Sequence, residues 1–454
     1  MLKWILSNSK NKQQLLFHIA LGCISLFTPV AFIVWYYLIF LVFFQKIISL
    51  KSENSIIWLL TFLMYSSSFE ILGRMANSSP FVPYELGKYM TFFLLIVGLF
   101  KVKKIGSLGI VIGLLLLPGI IVGIPYYQSY KDLVFNVLGT INIGLGMALF
   151  AYIKITERQL MALLRLMVLP MVSILAYSII RTPDLTELEF ELGANKIVGG
   201  FGSNQISTVF GVALFMLYVL WYKGFPFSGF SRSFDILIMV LFLILGLLTF
   251  SRGGILGGFL GILLFTYYQF VSLKKSINFI YIILAIPIIW LSINVVNNFT
   301  DGQLLLRYSG ETNGTLQGSK EKDLNQLTTG RFNLFVEDLE LFEKNAVLGL
   351  GVKQSVAKRN LTSGVISHVE FGRLLSEHGI FGFIIELIFI YLLLISFVNG
   401  HISYFNSIVS IFFIIGLYTT FHAATRTFVS PLLMPLIGLS QYIIPKKENA
   451  IVNN

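Results

Sequence analysis

Residues 234–272 read FDILIMVLFLILGLLTFSRGGILGGFLGILLFTYYQFVS, two long apolar runs separated by a short polar turn at 249–254. An apolar run of about 20 residues can cross a hydrocarbon core of about 30 Å as a helix that satisfies its own backbone hydrogen bonds. Similar runs recur along the 454-residue chain, which is 56% hydrophobic and only 12% charged, whereas soluble domains are about 25% charged. The sequence therefore predicts an all-α polytopic integral membrane protein.

The gaps between apolar runs predict about 12–14 transmembrane helices and one large outer loop. Residues 1–297 hold about eleven spans, residues 298–369 form the loop, and residues 370–454 hold about three spans. Only Pro29 separates the first two spans, so it is either a tight turn or a kink. The candidate spans are 14–28, 30–49, 55–72, 84–100, 105–124, 133–153, 159–180, 201–222, 234–250, 254–272, 277–297, 372–398, 402–422 and 430–445.

The basic residues predict the orientation of the chain. They lie in short clusters between the spans, and the net charge of +11 is therefore no sign of a nucleic-acid partner. If the N-terminus is inside, alternate gaps carry 16 of the 33 Lys and Arg residues on the inside, while the opposite gap at 181–200 is acidic. The positive-inside rule then places both termini in the cytoplasm. The inside residues are Lys3, Lys10, Lys12, Lys46, Lys51, Lys101, Lys103, Lys104, Lys154, Arg158, Lys223, Arg232, Lys274, Lys275, Lys446 and Lys447.

The loop at 298–369 breaks this alternation, because it carries eight basic and eight acidic residues between two spans that place it outside. Its C-terminal part contains apolar residues at helical spacing, namely Phe332, Phe335, Val336, Leu339 and Phe342. This spacing predicts an amphipathic helix near 331–344, lying on the membrane surface or on the helix bundle.

Six arginines lie on or near the predicted outer face: Arg74, Arg181, Arg252, Arg331, Arg373 and Arg426. Such an arginine either extends to lipid headgroups, pairs with a nearby acid, as Arg74 could with Glu70, or faces a polar cavity. Several arginines from different spans can converge on one cavity, where guanidinium groups bind phosphate oxygens in pairs. Arg252 is the best candidate because the turn at 249–254 offers glycines for close ligand approach and the Ser251 hydroxyl as a donor. Its alternative is a tight interhelical turn with an interfacial cation.

Histidine is the candidate for proton transfer. His368 lies at the membrane edge of the outer loop, where its imidazole could accept a proton from a sugar hydroxyl with Glu370 as a partner, or could simply be solvated. His378 lies deeper in the next span, where a functional role and helix–helix hydrogen bonding are both open. The sequence has no P-loop, Rossmann, serine-elbow or paired-His motif and a single cysteine, Cys23, so we expect no metal and no cofactor.

Three blocks in the second half of the chain resemble the O-antigen polymerase and O-antigen ligase superfamily. The first block resembles the family segment in which an arginine lies between the end of one helix and the small residues that begin the next. The second resembles the family's outer-loop arginine, which is followed by a helix and a glycine-containing turn. The third resembles the family's loop histidine, which is followed by the start of a helix. The blocks are 248–257, Arg331 with 347–351, and Ser367-His368 with 374–382. His378 departs from the pattern, which more often has an apolar residue there.

The resemblance implies a metal-independent glycosyltransferase of a bacterial inner membrane, with one large periplasmic loop and a periplasmic active site. It implies that the substrates are an undecaprenyl-diphosphate-linked glycan donor and acceptor within membrane lipid, with a chain-length regulator protein as a candidate partner. The implied base is His368. The implied diphosphate ligands are Arg252, Arg331, Arg181 and Arg426, and the supporting residues are Ser251, Glu370 and His378.

Three functions remain open at this point. An O-antigen polymerase joins lipid-linked repeat units, and it is favoured because such polymerases are often rich in Phe, Ile and Leu, as is this chain with 42 Phe. An O-antigen ligase moves the finished chain from the same carrier to a lipid A core. A lipid-linked oligosaccharide transporter would line a conduit with the arginines, but transporters often bind near the membrane midplane, whereas these candidates cluster at the outer edge.

Overall fold

A computed structural model of the chain describes residues 10–49, 52–127, 129–181, 202–272, 279–309 and 324–443. Most of these residues lie in helices, and a short parallel pairing joins Lys154–Ile155 (β1) to Ser440–Gln441 (β2). Within the described ranges, nine helices are long and apolar enough to cross a membrane, and three shorter apolar helices accompany them. The predicted all-α polytopic membrane fold is confirmed.

The helices follow the predicted spans in order. Pro29 forms a tight turn that leads into the second helix, because its carbonyl accepts a hydrogen bond from the Ile33 amide at 2.9 Å. The helices are α1 (Asn11–Phe27), α2 (Val30–Ser49), α3 (Ser52–Ser67), α4 (Glu70–Met75), α5 (Leu86–Leu99), α6 (Ser107–Gly123), α7 (Tyr130–Phe150), α8 (Glu157–Arg181), α9 (Ser203–Tyr222), α10 (Arg232–Leu248), α11 (Arg252–Tyr267), α12 (Phe279–Phe299), α13 (Gln303–Ser309), α14 (Leu324–Leu327), α15 (Arg331–Lys344), α16 (Ser355–Lys358), α17 (Glu370–His378), α18 (Ile380–Asn399), α19 (Tyr404–His422) and α20 (Val429–Leu433).

The predicted span at 55–72 is divided into α3 and α4, and two further predicted spans differ from continuous helices. The span at 372–398 is divided into α17 and α18 at Gly379, which has a φ of +60°. The span at 430–445 consists of α20, a 3-10 turn at Met434–Gly438 and β2. Pro431 and Pro435 account for this last difference, because proline cannot donate the backbone hydrogen bonds that a longer helix needs.

The burial of the spans separates a central group from a peripheral one. The apolar windows of Ser55–Met75 and Glu157–Arg181 are 89% buried, whereas that of Ser107–Tyr126 is 28% buried. A helix that is apolar all round and buried belongs to the interior of the bundle, while an exposed apolar surface is what lipid requires. Helix α8 is therefore central, and α6 lies at the edge.

Helices α9 and α11 approach each other closely through small residues. A Cβ atom on Gly211 would overlap the Gly254 carbonyl, and one on Gly258 would overlap the Gly211 carbonyl. Without a hydrophobic driving force between helices in lipid, close packing at small residues is a main source of association. This contact fixes the start of α11, where Arg252 lies, against α9.

Replacement of Gly258 by alanine should therefore destabilise the protein, because the methyl group has to push the backbones of α9 and α11 apart. We expect a loss of about 1–3 kcal/mol, seen as a lower temperature of thermal unfolding of the purified protein in detergent. Gly113→Ala in α6 is the matched control, since nothing lies within 4 Å of a Cβ atom there. Equal stability of the two variants would contradict the proposed close contact.

The segment 298–369 is folded onto the bundle where the structure describes it. Helix α15 occupies the predicted amphipathic stretch and packs on α17, with Leu334, Glu337, Asp338 and Leu341 buried. The Glu337 carboxylate accepts hydrogen bonds from the backbone amides of Leu361 and Thr362 at 2.6 and 3.1 Å. Arg359 donates to Asp338 at 2.9 Å, so two acids on α15 hold the segment that leads to His368.

The turn at 345–352 explains why the chain can break between α17 and α18. The amides of Leu350 and Gly351 donate to the carbonyls of Ser376 and Glu377 at 2.9 and 3.1 Å, and the Ile380 amide donates to Ala346 at 2.7 Å. These bonds satisfy carbonyls that the end of α17 leaves without helical partners. Gly349, with a φ of +72°, approaches the Glu377 carbonyl so closely that a Cβ atom there would lie at 2.5 Å.

Candidate active site

The turn between α10 and α11 fixes the position of Arg252. Phe250 has a φ of +54°, and the Ser251 hydroxyl donates to the Asn204 side chain at 2.7 Å. The Ser251 carbonyl accepts a hydrogen bond from the Ser207 hydroxyl at 2.6 Å, which ties the turn to α9. Arg252 is thus the first residue of α11, and Ser251 helps to hold the turn that carries it. The supporting role of Ser251 at a ligand stays a prediction.

Arg307 lies against this same turn. Its Nε donates to the Phe250 carbonyl at 3.3 Å, while a terminal nitrogen of Arg252 donates to the Tyr308 carbonyl at 3.5 Å. Burial, followed by the positive charges of Arg252 and Arg331, lowers the pKa of Arg307 to about 10. The guanidinium groups of these three residues are therefore close enough to repel one another.

Arg331 joins the group from the N-terminus of α15. Burial and the charge of Arg252 lower the pKa of Arg331, and one terminal nitrogen donates to the Thr328 carbonyl at 3.0 Å. Its Nε is buried and has no hydrogen-bond partner among the described residues. A buried donor without an acceptor is costly, and an anionic ligand would supply the missing acceptor.

His368 contacts Arg426, which comes from the turn after α19. A terminal nitrogen of Arg426 donates to Nε2 of His368 at 3.2 Å, and the other donates to the Ile366 carbonyl at 3.1 Å. Burial, then the charges of Arg426 and Arg331, lowers the pKa of His368 to about 3. The imidazole is therefore neutral at neutral pH, and its buried Nδ1 has no partner in the part of the chain that the structure describes.

His422, at the end of α19, closes one side of this group. Its ring packs over Gly253, where a Cβ atom would lie 2.6 Å from the imidazole, and its Nε2 lies 3.0 Å from the Thr208 hydroxyl. Arg331 interacts electrostatically with His422, and His422 interacts electrostatically with His368. Residues from five parts of the chain thus form one cluster, which we call the arginine–histidine cluster: Arg252, Arg307, Arg331, His368, His422 and Arg426.

The other sequence candidates lie around or away from this cluster. Glu370, predicted as a partner of His368, instead bonds to Arg373 at 3.1 Å and to the Thr140 hydroxyl at 2.9 Å. His378 lies at the far end of α17, where its ring packs against Gly119 of α6. Arg181 is exposed at the end of α8 beside Tyr177. Roles for these residues in binding or catalysis stay predictions.

Two members of the cluster were not singled out as site residues from the sequence. Arg307 belongs to the segment Leu304-Leu305-Leu306-Arg307-Tyr308, where three leucines directly before an arginine indicate docking onto the bundle rather than an open loop. His422 lies at the end of a predicted span, and the structure places its Nε2 within hydrogen-bond distance of the Thr208 hydroxyl on α9. Both residues reach the cluster through tertiary contacts.

The cluster can bind an anion and accept a proton. Guanidinium groups form paired, charge-assisted hydrogen bonds with phosphate oxygens. Arg426 and Arg331 lie near a neutral imidazole, and Arg252 and Arg307 lie near Arg331. A neutral imidazole has a free electron pair on one ring nitrogen and can act as a general base. This combination suits reactions that develop negative charge on a phosphate while a hydroxyl loses its proton.

One family of known proteins matches the part of the chain that contains most of the cluster. Residues 237–387 match a family model described as O-Antigen ligase. The matched segment contains Arg252, Arg307, Arg331 and His368, whereas Arg181, His422 and Arg426 lie outside it. No curated protein and no solved structure gave a match to the chain. The matched segment, about a third of the chain, and the helical membrane fold support a relationship of this chain to the O-antigen polymerase and ligase superfamily.

Proposed function

We propose that this protein polymerises undecaprenyl-diphosphate-linked oligosaccharide repeat units into O-antigen or a related surface polysaccharide. The observation that carries the proposal is the arginine–histidine cluster, in which Arg331 lies near both the pair Arg252 and Arg307 and the pair His368 and Arg426. Three of these arginines and the histidine belong to the segment that matches the O-antigen ligase family. Lipid-linked glycans are the substrates that this family implies.

The proposed reaction needs little covalent chemistry from the protein. The hydroxyl oxygen of the acceptor glycan attacks the anomeric carbon of the donor, and the bond between that carbon and the carrier diphosphate breaks. The electron pair of the broken bond leaves with the diphosphate, where the arginines stabilise the added negative charge. The proton of the attacking hydroxyl passes to His368. Holding donor and acceptor side by side supplies much of the remaining rate enhancement.

The contact between His368 and Arg426 suggests how donor binding prepares the base. Because Arg426 donates to Nε2 of His368, that nitrogen must hold its free electron pair, and in a neutral ring Nδ1 then carries the proton. A bound diphosphate draws Arg426 toward its oxygens and leaves Nε2 free for the acceptor hydroxyl. The anion also offsets the charges of Arg426 and Arg331, which raises the pKa of His368 toward the working pH and strengthens the base.

The same arrangement supports a periplasmic active site in a bacterial inner membrane. Arg252 follows α10 at the end opposite to Arg232, and Arg232 belongs to the basic gaps that the positive-inside rule assigns to the cytoplasm. A helix of 17 residues is about 25 Å long, close to the thickness of the hydrocarbon core. We propose both termini in the cytoplasm, the cluster at the periplasmic face, and a chain-length regulator protein as a further partner.

The second candidate is an O-antigen ligase, which the description of the matched family model favours. Its chemistry differs only in the acceptor, a lipid A core rather than a second lipid-linked glycan. The cluster serves both reactions equally well, because it addresses the diphosphate and the proton. We prefer polymerisation on the Phe-rich composition of the chain.

A deletion strain separates the two candidates through the electrophoretic ladder of its lipopolysaccharide. We expect core carrying a single repeat unit, because a polymerase joins units before transfer to the core. Core without any repeat, with polymer retained on the lipid carrier, would instead establish the ligase. Complementation with the intact gene controls for effects on neighbouring genes, and a normal ladder in the deletion strain would contradict both.

A further inference from the structure

The turn at 423–428, which carries Arg426, is held through its backbone amides. The Ala424 amide donates to the His368 carbonyl at 3.0 Å, and Ala424 itself has a φ of +49°. The Thr425 amide donates to the Glu370 carboxylate at 3.4 Å, and the Phe428 amide donates to the Glu70 carboxylate at 3.0 Å. Three amides of one short turn are thus bound by His368 and by two acids from distant parts of the chain.

Each of the two acids belongs to a buried ion pair on its own helix. Glu70 pairs with Arg74 on α4, and Glu370 pairs with Arg373 at 3.1 Å on α17. Glu70 is fully buried and Glu370 is 3% exposed. Arg74 also donates to the Arg426 carbonyl at 3.4 Å, so this ion pair contacts the turn through both partners.

Buried ion pairs are poor sources of stability, because desolvation of the two charges offsets most of their attraction. A better reason for burying them here is that they fix one backbone geometry. The carboxylates accept from specific amides, which an apolar pair of the same volume could not do.

Small residues let two further helices approach the turn. A Cβ atom on Gly87 in α5 would overlap the Glu70 carboxylate, and one on Gly139 in α7 would overlap the Thr425 side chain. Beside Gly139, the Thr140 hydroxyl donates to Glu370 at 2.9 Å. The contacts from α4, α5 and α7 all come from residues that precede the matched segment 237–387.

We propose that Glu70 and Glu370 are positioning residues for the arginine–histidine cluster: they set the turn at 423–428, and through it they place the Arg426 guanidinium on His368. The placement follows from the hydrogen bonds alone. Its consequence for diphosphate binding rests on the proposed function. Two separate measurements can therefore test the placement and the consequence.

Hydrogen exchange of the purified protein in detergent tests the placement without any ligand. Glu70→Gln and Glu370→Gln keep the size of the side chain but remove its charge, and each should speed exchange of the amides at 424–428 by about tenfold, as expected for a loosened local segment. Asp235→Asn is the matched control. Asp235 is another buried carboxylate that accepts backbone amides, those of Phe227 and Ser228 at 3.4 and 2.9 Å, at the opposite end of α10 from Arg252.

Asp235→Asn should speed exchange at 227–228 and leave 424–428 unchanged. Unchanged exchange at 424–428 in folded Glu70→Gln and Glu370→Gln variants would overturn the proposal. If Glu70→Gln does not fold, Gly87→Ala replaces it, because its Cβ atom would overlap the Glu70 carboxylate. If Glu370→Gln does not fold, Thr140→Val replaces it. This change keeps both ion pairs and removes only the hydrogen bond to Glu370, so it should give a smaller increase at 425, and no increase would again overturn the proposal.

Binding of inorganic diphosphate tests the consequence. Glu70→Gln should weaken binding about fivefold in the otherwise unchanged protein and by less than about twofold beside Arg426→Ala, because residues that act through one another are not additive. An equal loss in both backgrounds would show a general structural effect and would overturn the link to Arg426. If the unchanged protein binds no diphosphate while exchange at 424–428 responds as expected, the placement stands and the proposed function fails.

Discussion

Replacement of His368 by alanine should lower the rate of glycosyl transfer by about 100- to 10,000-fold, the usual contribution of a general base. The reason lies in its surroundings: the imidazole is buried beside Arg426 and Arg331, which keep it neutral and able to accept a proton. The measurement is polymer formation by purified protein supplied with lipid-linked repeat units, with the amount of folded protein checked by size-exclusion chromatography. Binding of the donor should change little, because the arginines remain.

His401→Ala is the control for this variant. His401 lies in the turn between α18 and α19 and packs against Tyr267 and Tyr268, at the other end of α19 from His422. Its loss should leave transfer unchanged. Normal transfer by a folded His368→Ala variant would exclude His368 as the base and leave the cluster as a binding site only.

The pH dependence gives a sharper test of the role of His368. Protonation removes the base, so the rate falls as the pH drops through the pKa of the imidazole. In the free protein this pKa is lowered to about 3, and kcat/KM should show no loss from His368 above about pH 4. Bound diphosphate raises the pKa, so kcat at saturating donor should fall at a higher pH than kcat/KM does. This acid limb of kcat should be missing from the residual activity of His368→Ala.

Replacement of Arg331 by alanine should have the second large effect, a loss of about 100- to 1,000-fold in kcat/KM, comparable to the removal of one donor from a preorganised anion site. Arg331 is the member of the cluster whose charge acts on Arg307, His368, His422 and Arg426. Lysine at this position should recover little, because a single ammonium group cannot bind two phosphate oxygens side by side.

Inhibition by inorganic diphosphate measures the same loss without the glycan. The inhibition constant should rise in Arg331→Ala, since the inhibitor loses the ligand that the carrier diphosphate loses. Arg232→Ala is the matched control, because Arg232 lies at the opposite end of α10 from the turn that leads to Arg252. Unchanged inhibition in Arg331→Ala, or an equal change in Arg232→Ala, would argue against the assignment of a diphosphate site.

The general fold could be predicted from the sequence because the length of an apolar run that crosses the membrane is set by the thickness of the hydrocarbon core. The break at Gly379 could not, since the polar residues Arg373, Glu377 and His378 just before it do not by themselves end a helix. The break depends on the turn at 345–352, whose backbone amides donate hydrogen bonds to the last carbonyls of α17. This turn lies about thirty residues earlier in the chain. Pro431 and Pro435, by contrast, are local signals in the sequence that the last predicted span is not one continuous helix.

The candidate site could be predicted only in part, for a related reason. Arg252 and His368 stand beside local signals, a glycine-rich turn and a loop edge. Three leucines before Arg307 indicate that its segment docks on the bundle, but they do not show where, because the position of Arg307 depends on the Phe250 carbonyl. Glu370 lies two residues from His368, yet the helix that begins at Glu370 directs its carboxylate to Thr140 and Arg373. Proximity in sequence therefore did not reveal the contacts of this side chain.

The anchoring of the turn at 423–428 also bears on how such enzymes can exchange parts. The segment shared with the family ends at residue 387, but Arg426 and the acid that binds the Phe428 amide lie on either side of it in the chain. A hybrid protein that takes only this segment from the present chain would combine His368 with the turn and the supporting helices of another protein. A hybrid that is to keep the proposed chemistry therefore needs nearly the whole bundle of this chain, from α4 to the turn after α19.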